Sequence, residues 1–228
     1  MTIKGISSMA TRQLLAELVA DYKKIANADI AIESVGGVDA AKRVQTGEAF
    51  DVVVLASDAI DKLIAAGHID PTSKVNLVNS GVAVAVKVGS KTPDISSETA
   101  VKAAVLAAKT ISYSTGPSGV ALAKLFERWG VAEQIASRIV QAPPGVPVGS
   151  LVAKGEVELG FQQLSELIHL DGISIVGPLP PEIQITTTFS AGVCTASTQA
   201  DAVREMLAYM ASPAAAAAKL RQGMEIVQ

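Results

Sequence analysis

The sequence predicts an α/β protein of two lobes, each a three-layer stack of helices on a sheet, and three observations predict it. Strand and helix signals alternate along almost the whole chain, as strand–helix units on a mostly parallel sheet do. The run Asp51-Val52-Val53-Val54-Leu55-Ala56 is nearly all apolar, as befits a strand covered on both faces. Finally, Ser80-Gly81-Val82-Ala83-Val84-Ala85-Val86 and Ser190-Ala191-Gly192-Val193-Cys194-Thr195-Ala196 both read as Ser and Gly leading into a β-rich run. They enclose a strand–helix set of their own, so they are expected to be two crossings between lobes, 1–79 with 191–228 and 80–190. Glycine near such a crossing suits a hinge. Two ordinary strands of one sheet is the other reading.

The elements follow in order. Thr2-Ile3-Lys4-Gly5-Ile6 is a strand ending at Ser7-Ser8, and Leu14, Leu18, Tyr22 and Ile25 then recur at helical spacing. Ile30 and Ile32 alternate with smaller residues up to Ser34-Val35-Gly36-Gly37, after which Val38, Ala41 and Val44 mark a second helix. Beyond the strand at 51–56, Ser57 or Asp58 is the expected cap of a helix that carries Ile60, Leu63 and Ile64 and stops at Gly67. Thr110-Ile111-Ser112-Tyr113 leads into Ser114-Thr115-Gly116-Pro117-Ser118-Gly119, followed by the helical set Leu122, Leu125, Phe126 and Trp129. Near the C-terminus Val203, Met206, Leu207 and Met210 share a helix face. Ser212 as cap, Pro213 at the first position and Gly223 at the end then bound a last, Ala-rich helix.

Composition narrows the function. The 228 residues are 49% hydrophobic and 18% charged, enough for a good core built on aliphatics, since aromatics are only 4%. The 19 basic residues are scattered and the net charge is −3, which argues against a nucleic-acid partner. No apolar run reaches the ~18 residues of a membrane span, so no insertion is expected. The start Met1-Thr2-Ile3-Lys4-Gly5-Ile6 has no leader-like pattern. A cytoplasmic address is expected if Met1 is the natural start, and a periplasmic one if an export signal has been removed. The single Cys194 excludes an internal disulfide and reads as a small core residue.

Two polar loops carry the chemistry. Ser7-Ser8 and Ser114–Gly119 each follow a strand and precede a helix, placing hydroxyls and free backbone N–H groups where the helix dipole favours negative charge. Such loops in different halves suggest one small anion held between two lobes. Ser7 and Ser8 serve equally well as simple caps. Arg12 and Arg43 lie one or two turns into helices that start at the expected site; either could reach a carboxylate or simply be solvated. His68, His169 and Glu33 are the candidate proton carriers, each equally at home as an ordinary surface residue, and no catalytic residue is assigned. There is no metal-ligand spacing, phosphate loop or nucleophile elbow, and neither a metal nor a cofactor is expected.

Together these segments resemble the molybdate-binding branch of the bacterial solute-binding proteins, the two-lobed type II periplasmic-binding fold with a hinged cleft. The resemblance rests on Gly5-Ile6-Ser7-Ser8, Ser34-Val35-Gly36-Gly37, Gly47-Glu48-Ala49-Phe50-Asp51-Val52-Val53-Val54-Leu55-Ala56 and Leu159-Gly160-Phe161-Gln162-Gln163-Leu164-Ser165-Glu166. It implies that hydroxyls and backbone N–H groups of both lobes hold the ligand. The positions implied are Ser7 or Ser8; Ser34, Gly36 or Gly37; Ser114, Ser118 or Gly119; Pro147 and Val148 at the start of a helix 148–155; and Gln163. Where Gln163 stands, molybdate binders resemble one another in a tyrosine. An amide both donates and accepts, so this departure and the Gly36-Gly37 pair favour a hydroxy- or polycarboxylate. Val176–Gln184, Phe189–Val193 and Ser212–Ala216 are similar to a branch resembling aconitate isomerase. The expected function is to hold a small organic carboxylate. A cofactor-free isomerase of a polycarboxylate is the alternative, a molybdate or tungstate receptor the third, and an ABC transporter the expected partner if the chain is exported.

Overall fold

The computed structural model describes residues 1–143 and 145–227; Pro144 and Gln228, which fall within the two expected lobes, lie outside the described residues. In chain order the elements are β1 (Thr2–Ser8), α1 (Arg12–Ile25), β2 (Asp29–Val35), α2 (Gly37–Gln45), β3 (Val52–Ala56), α3 (Ser57–Ala65) and β4 (Val75–Lys87). Then come α4 (Glu98–Ala107), β5 (Ile111–Tyr113), α5 (Pro117–Arg128), α6 (Ala132–Ile135), α7 (Val148–Lys154), β6 (Leu159–Gln163), α8 (Leu164–Leu167) and β7 (Ile173–Pro178). The chain ends with β8 (Thr186–Val193), α9 (Ala200–Ala211), α10 (Ala216–Arg221) and β9 (Glu225–Ile226). Among the described residues no helix is long and apolar enough to cross a membrane.

The chain divides into two compact units, Met1–Ser80 with Thr187–Gln228 and Gly81–Thr186. In the first unit the strand order is β2-β1-β3-β8-β4. β1 pairs parallel with β2 and β3, whereas β3 pairs antiparallel with β8. In the second unit β5 and β6 are parallel, and β4 runs antiparallel to both β6 and β7. Both sheets are therefore mixed rather than mostly parallel. The antiparallel pairs all involve β4 or β8, the two strands that carry the chain from one unit to the other, whereas the strand–helix–strand crossovers give the parallel pairs.

Burial follows the periodicities. Val52–Ala56 is covered throughout, and Leu14, Leu18, Val203, Met206 and Met210 close over the first unit's sheet. Leu122, Phe126, Val101, Val105 and Phe161 form the core of the second. Two apolar residues depart from the pattern: Ile25 at the end of α1 and Val38 at the start of α2 are 69% and 68% exposed. The inward positions of α2 are Ala40 and Val44.

Several capping expectations need correction. Ser57 is the first residue of α3 and Ala56 its cap, with no side-chain cap bond. Buried Ser8 precedes a single 3-10 turn, Met9–Thr11, and its hydroxyl does not cap it. The Ser212 hydroxyl donates to Tyr209 O instead of capping the turn Pro213–Ala215 ahead of α10. Gly67 and Gly223, by contrast, have φ of +80° and +67° and end their helices in the left-handed region.

Candidate functional site

The first unit brings Ser7, Ser8, Ser34, Gly36 and Gly37 together. The parallel register pairs Ser7 with Ser34 and Ser8 with Val35, so β1 and β2 end side by side. Ligand crevices lie outside the carboxyl ends of parallel strands. Ser7, fully buried, shares a hydroxyl–hydroxyl hydrogen bond of 2.7 Å with Ser34. Ser8 is 8% exposed and its Oγ has no hydrogen-bond partner, an unusual state for a buried hydroxyl.

Gly36 caps α2 without a side-chain bond. Neither Gly36 nor Gly37 has a positive φ, so the backbone does not demand glycine at either position. Space does not demand it either: a Cβ at Gly37 would stand 3.6 Å from that of Ser8, an ordinary contact. A Cβ at Gly36 would meet the Asp39 carboxylate at 3.4 Å. The glycine pair therefore leaves the helix start open on the Ser8 side.

The second unit places Ser114, Ser118 and Gly119 together. Ser114 and Ser118 share a 3.2 Å hydroxyl–hydroxyl bond, and Ser118 is buried. A Cβ on Gly119 would fall 1.6 Å from Ser114 O, so this glycine is dictated by α5 lying directly on its own entry loop. Pro117 occupies the first turn and Gly116 caps without a side-chain bond.

Pro147 caps α7, but Val148 is a fully buried core residue. The next amide, Gly149 N, already donates to Gln162 Oε1 at 3.2 Å, so part of this helix start is satisfied from within. Gln163 is buried at the end of β6, opposite Val82.

Sequence reasoning missed the neighbouring pair. Gln162 is buried, and its amide donates to Glu166 Oε1 at 2.9 Å. Burial pushes the Glu166 carboxyl up to about 7, against the lowering effect of that bond. Only the local sequence Gln-Gln-x-x-Glu hinted at it.

Other candidates are tied elsewhere. Arg43 chelates Glu33 at 2.8 and 2.9 Å, bonds Glu48 and lies 5.2 Å over the Phe50 ring, so neither Arg43 nor Glu33 is free for chemistry. The Cys194 thiol is buried and held up to about 12, an inert state. His68 follows the α3 stop and its amide donates to Leu63 O; His169 is exposed beyond α8. Among the described residues no cluster of His, Cys, Asp and Glu could hold a metal ion.

The comparisons agree with this architecture. A family model described as bacterial extracellular solute-binding protein matches residues 3–225. A protein named aconitate isomerase from a Pseudomonas species is 36% identical, over 99% of this chain and 88% of its own. Among solved structures, the periplasmic molybdate-binding protein of Azotobacter vinelandii superposes with a TM-score of 0.82 at 20% identity, covering 99% of this chain and 100% of that one. The sulfate-binding protein of Mycobacterium tuberculosis gives 0.80 at 13% identity, over 100% and 88%. At such identities the structures establish the type II fold and nothing about the ligand.

Proposed function

The chain belongs to the bacterial extracellular solute-binding protein family, and from that premise we propose that it binds a small organic polycarboxylate. The donors assigned to it in the first unit are the hydroxyls and helix-start amides around Ser7, Ser8, Ser34 and Gly37, and the second unit carries a comparable set of its own around Ser114, Ser118 and Gly119. The observation that carries the reading is Ser8: a buried hydroxyl without a partner, beside an uncapped helix start and a neighbouring hydroxyl pair. A buried donor left unsatisfied costs about 1–3 kcal/mol, and an anion there removes that cost. The buried amide of Gln163 both donates and accepts, which suits an acid that carries a hydroxyl beside its carboxylates. Pro147 and Val148 contribute at most backbone.

A thermal-shift series with molybdate, tungstate, sulfate, citrate and cis- and trans-aconitate tests this. Stabilisation by the tricarboxylates alone is expected. A response to molybdate or tungstate and to no carboxylate would replace the reading with an oxyanion receptor.

The relative named aconitate isomerase, similar over 99% of the chain, favours a second reading: the bound acid is isomerised. Moving its double bond needs one proton removed from carbon and one returned at the far end of the allylic system. Proton NMR of trans-aconitate in deuterated water with the purified protein decides between them. Conversion with deuterium uptake or a new vinyl resonance means catalysis, and an unchanged spectrum means binding only. A binding role in transport would bring in an ABC transporter as partner.

A further inference from the structure

We infer that Arg12 holds the second carboxylate of a dibasic or tribasic acid whose first carboxylate sits at Ser7, Ser8 and Ser34; this rests on the polycarboxylate reading above. A groove of about 580 Å³ in the first unit has Arg12 and Ser34 on its walls, with Leu15, Val19, Ile30 and Ile32 supplying apolar surface. Its size lies in the range of small-molecule sites. Ser34 belongs to both the groove and the hydroxyl pair with Ser7, so the groove continues from the candidate anion site.

The arginines of this chain make Arg12 stand out. Arg43 holds Glu33 and Glu48, Arg128 holds Glu98, and Arg138 donates to Leu106 O and Ala108 O. Arg204 holds Asp70 and Arg221 holds Glu17. Among the described residues Arg12 alone has neither a carboxylate nor a carbonyl. The acidic residue on the same groove, Glu33, has both oxygens taken by Arg43 and does not claim it.

A guanidinium offers a planar fork that fits a carboxylate with two bonds. An inorganic oxyanion needs donors on every side, whereas an apolar surface between a hydroxyl cluster and a lone cation suits a carbon chain bearing a charge at each end. The groove therefore selects for acids with at least two separated carboxylates.

Titration calorimetry of the native chain, Arg12→Gln and Arg12→Lys with trans-aconitate and citrate tests the inference. Arg12→Gln is expected to bind about 10- to 100-fold more weakly, and Arg12→Lys, which keeps charge but loses the fork, to fall between. Arg12 is exposed, so both variants should melt as the native chain does; should Arg12→Gln fail to fold, Arg12→Lys carries the test. Native-like affinity in the folded variants overturns the role of Arg12 and leaves the polycarboxylate reading standing. No binding of either acid by the native chain overturns both.

Discussion

Lys219 lies in α10 with 2% of its surface exposed, and burial lowers its pKa. Among the described residues its ammonium has no ion pair. Desolvating a charge without a partner costs stability, so Lys219→Met is expected to raise stability by about 1 kcal/mol, measured by urea unfolding at pH 7. A lysine with a depressed pKa binds fewer protons folded than unfolded, so the native chain should gain stability as pH rises from that lowered value towards 10.5. Lys219→Met should lack the gain. Glu166 has the opposite sign. Its carboxyl sits at about 7 against an ordinary 4.5, so the folded chain holds the extra proton. That stability is full below pH 4.5 and is lost as pH climbs to about 7, by up to about 3 kcal/mol. Glu166→Gln keeps an acceptor for Gln162 and should flatten the curve. An unchanged slope between pH 4.5 and 7 in the variant would show that the carboxyl is hydrated and normal.

At the scale of elements, the two glycine-bearing helix starts should respond differently to the same change. A methyl group at Gly119 would fall 1.6 Å from Ser114 O, so Gly119→Ala must displace the loop or the helix. A loss of about 2 kcal/mol or more is expected, with the melting temperature as readout. At Gly37 the new methyl meets Ser8 at 3.6 Å, an ordinary contact on an ordinary backbone. Gly37→Ala should therefore keep native stability while lowering affinity for trans-aconitate, because it narrows the space beside the Ser8 hydroxyl. Element identities were readable from sequence because 3.6- and 2-residue periods are local. Cap identities were not, since Ser8, Ser57 and Ser212 all match a cap pattern and none caps. A hydroxyl near a helix start has several partners within reach, and the surrounding fold chooses among them.

For the whole molecule, a ligand that binds only the folded chain stabilises it by mass action, by about 2.7 kcal/mol at a hundred times its Kd. For a chain of this size that corresponds to a rise of roughly 5–10 °C in Tm, which the right acid should produce at saturation. By itself the sequence determined the α/β class, the strand–helix order, the aliphatic core and the two hydroxyl-bearing helix starts, since each is written in residues close along the chain. Only the tertiary structure decided the rest: that Ser7 meets Ser34 across 27 residues, that Glu33 occupies Arg43 and leaves Arg12 alone, and that Gln162 reaches both Gly149 and Glu166. These pairings depend on strand register and on which helix lies over which strand. Local periodicity predicts the elements but is silent on how distant ones are brought into register.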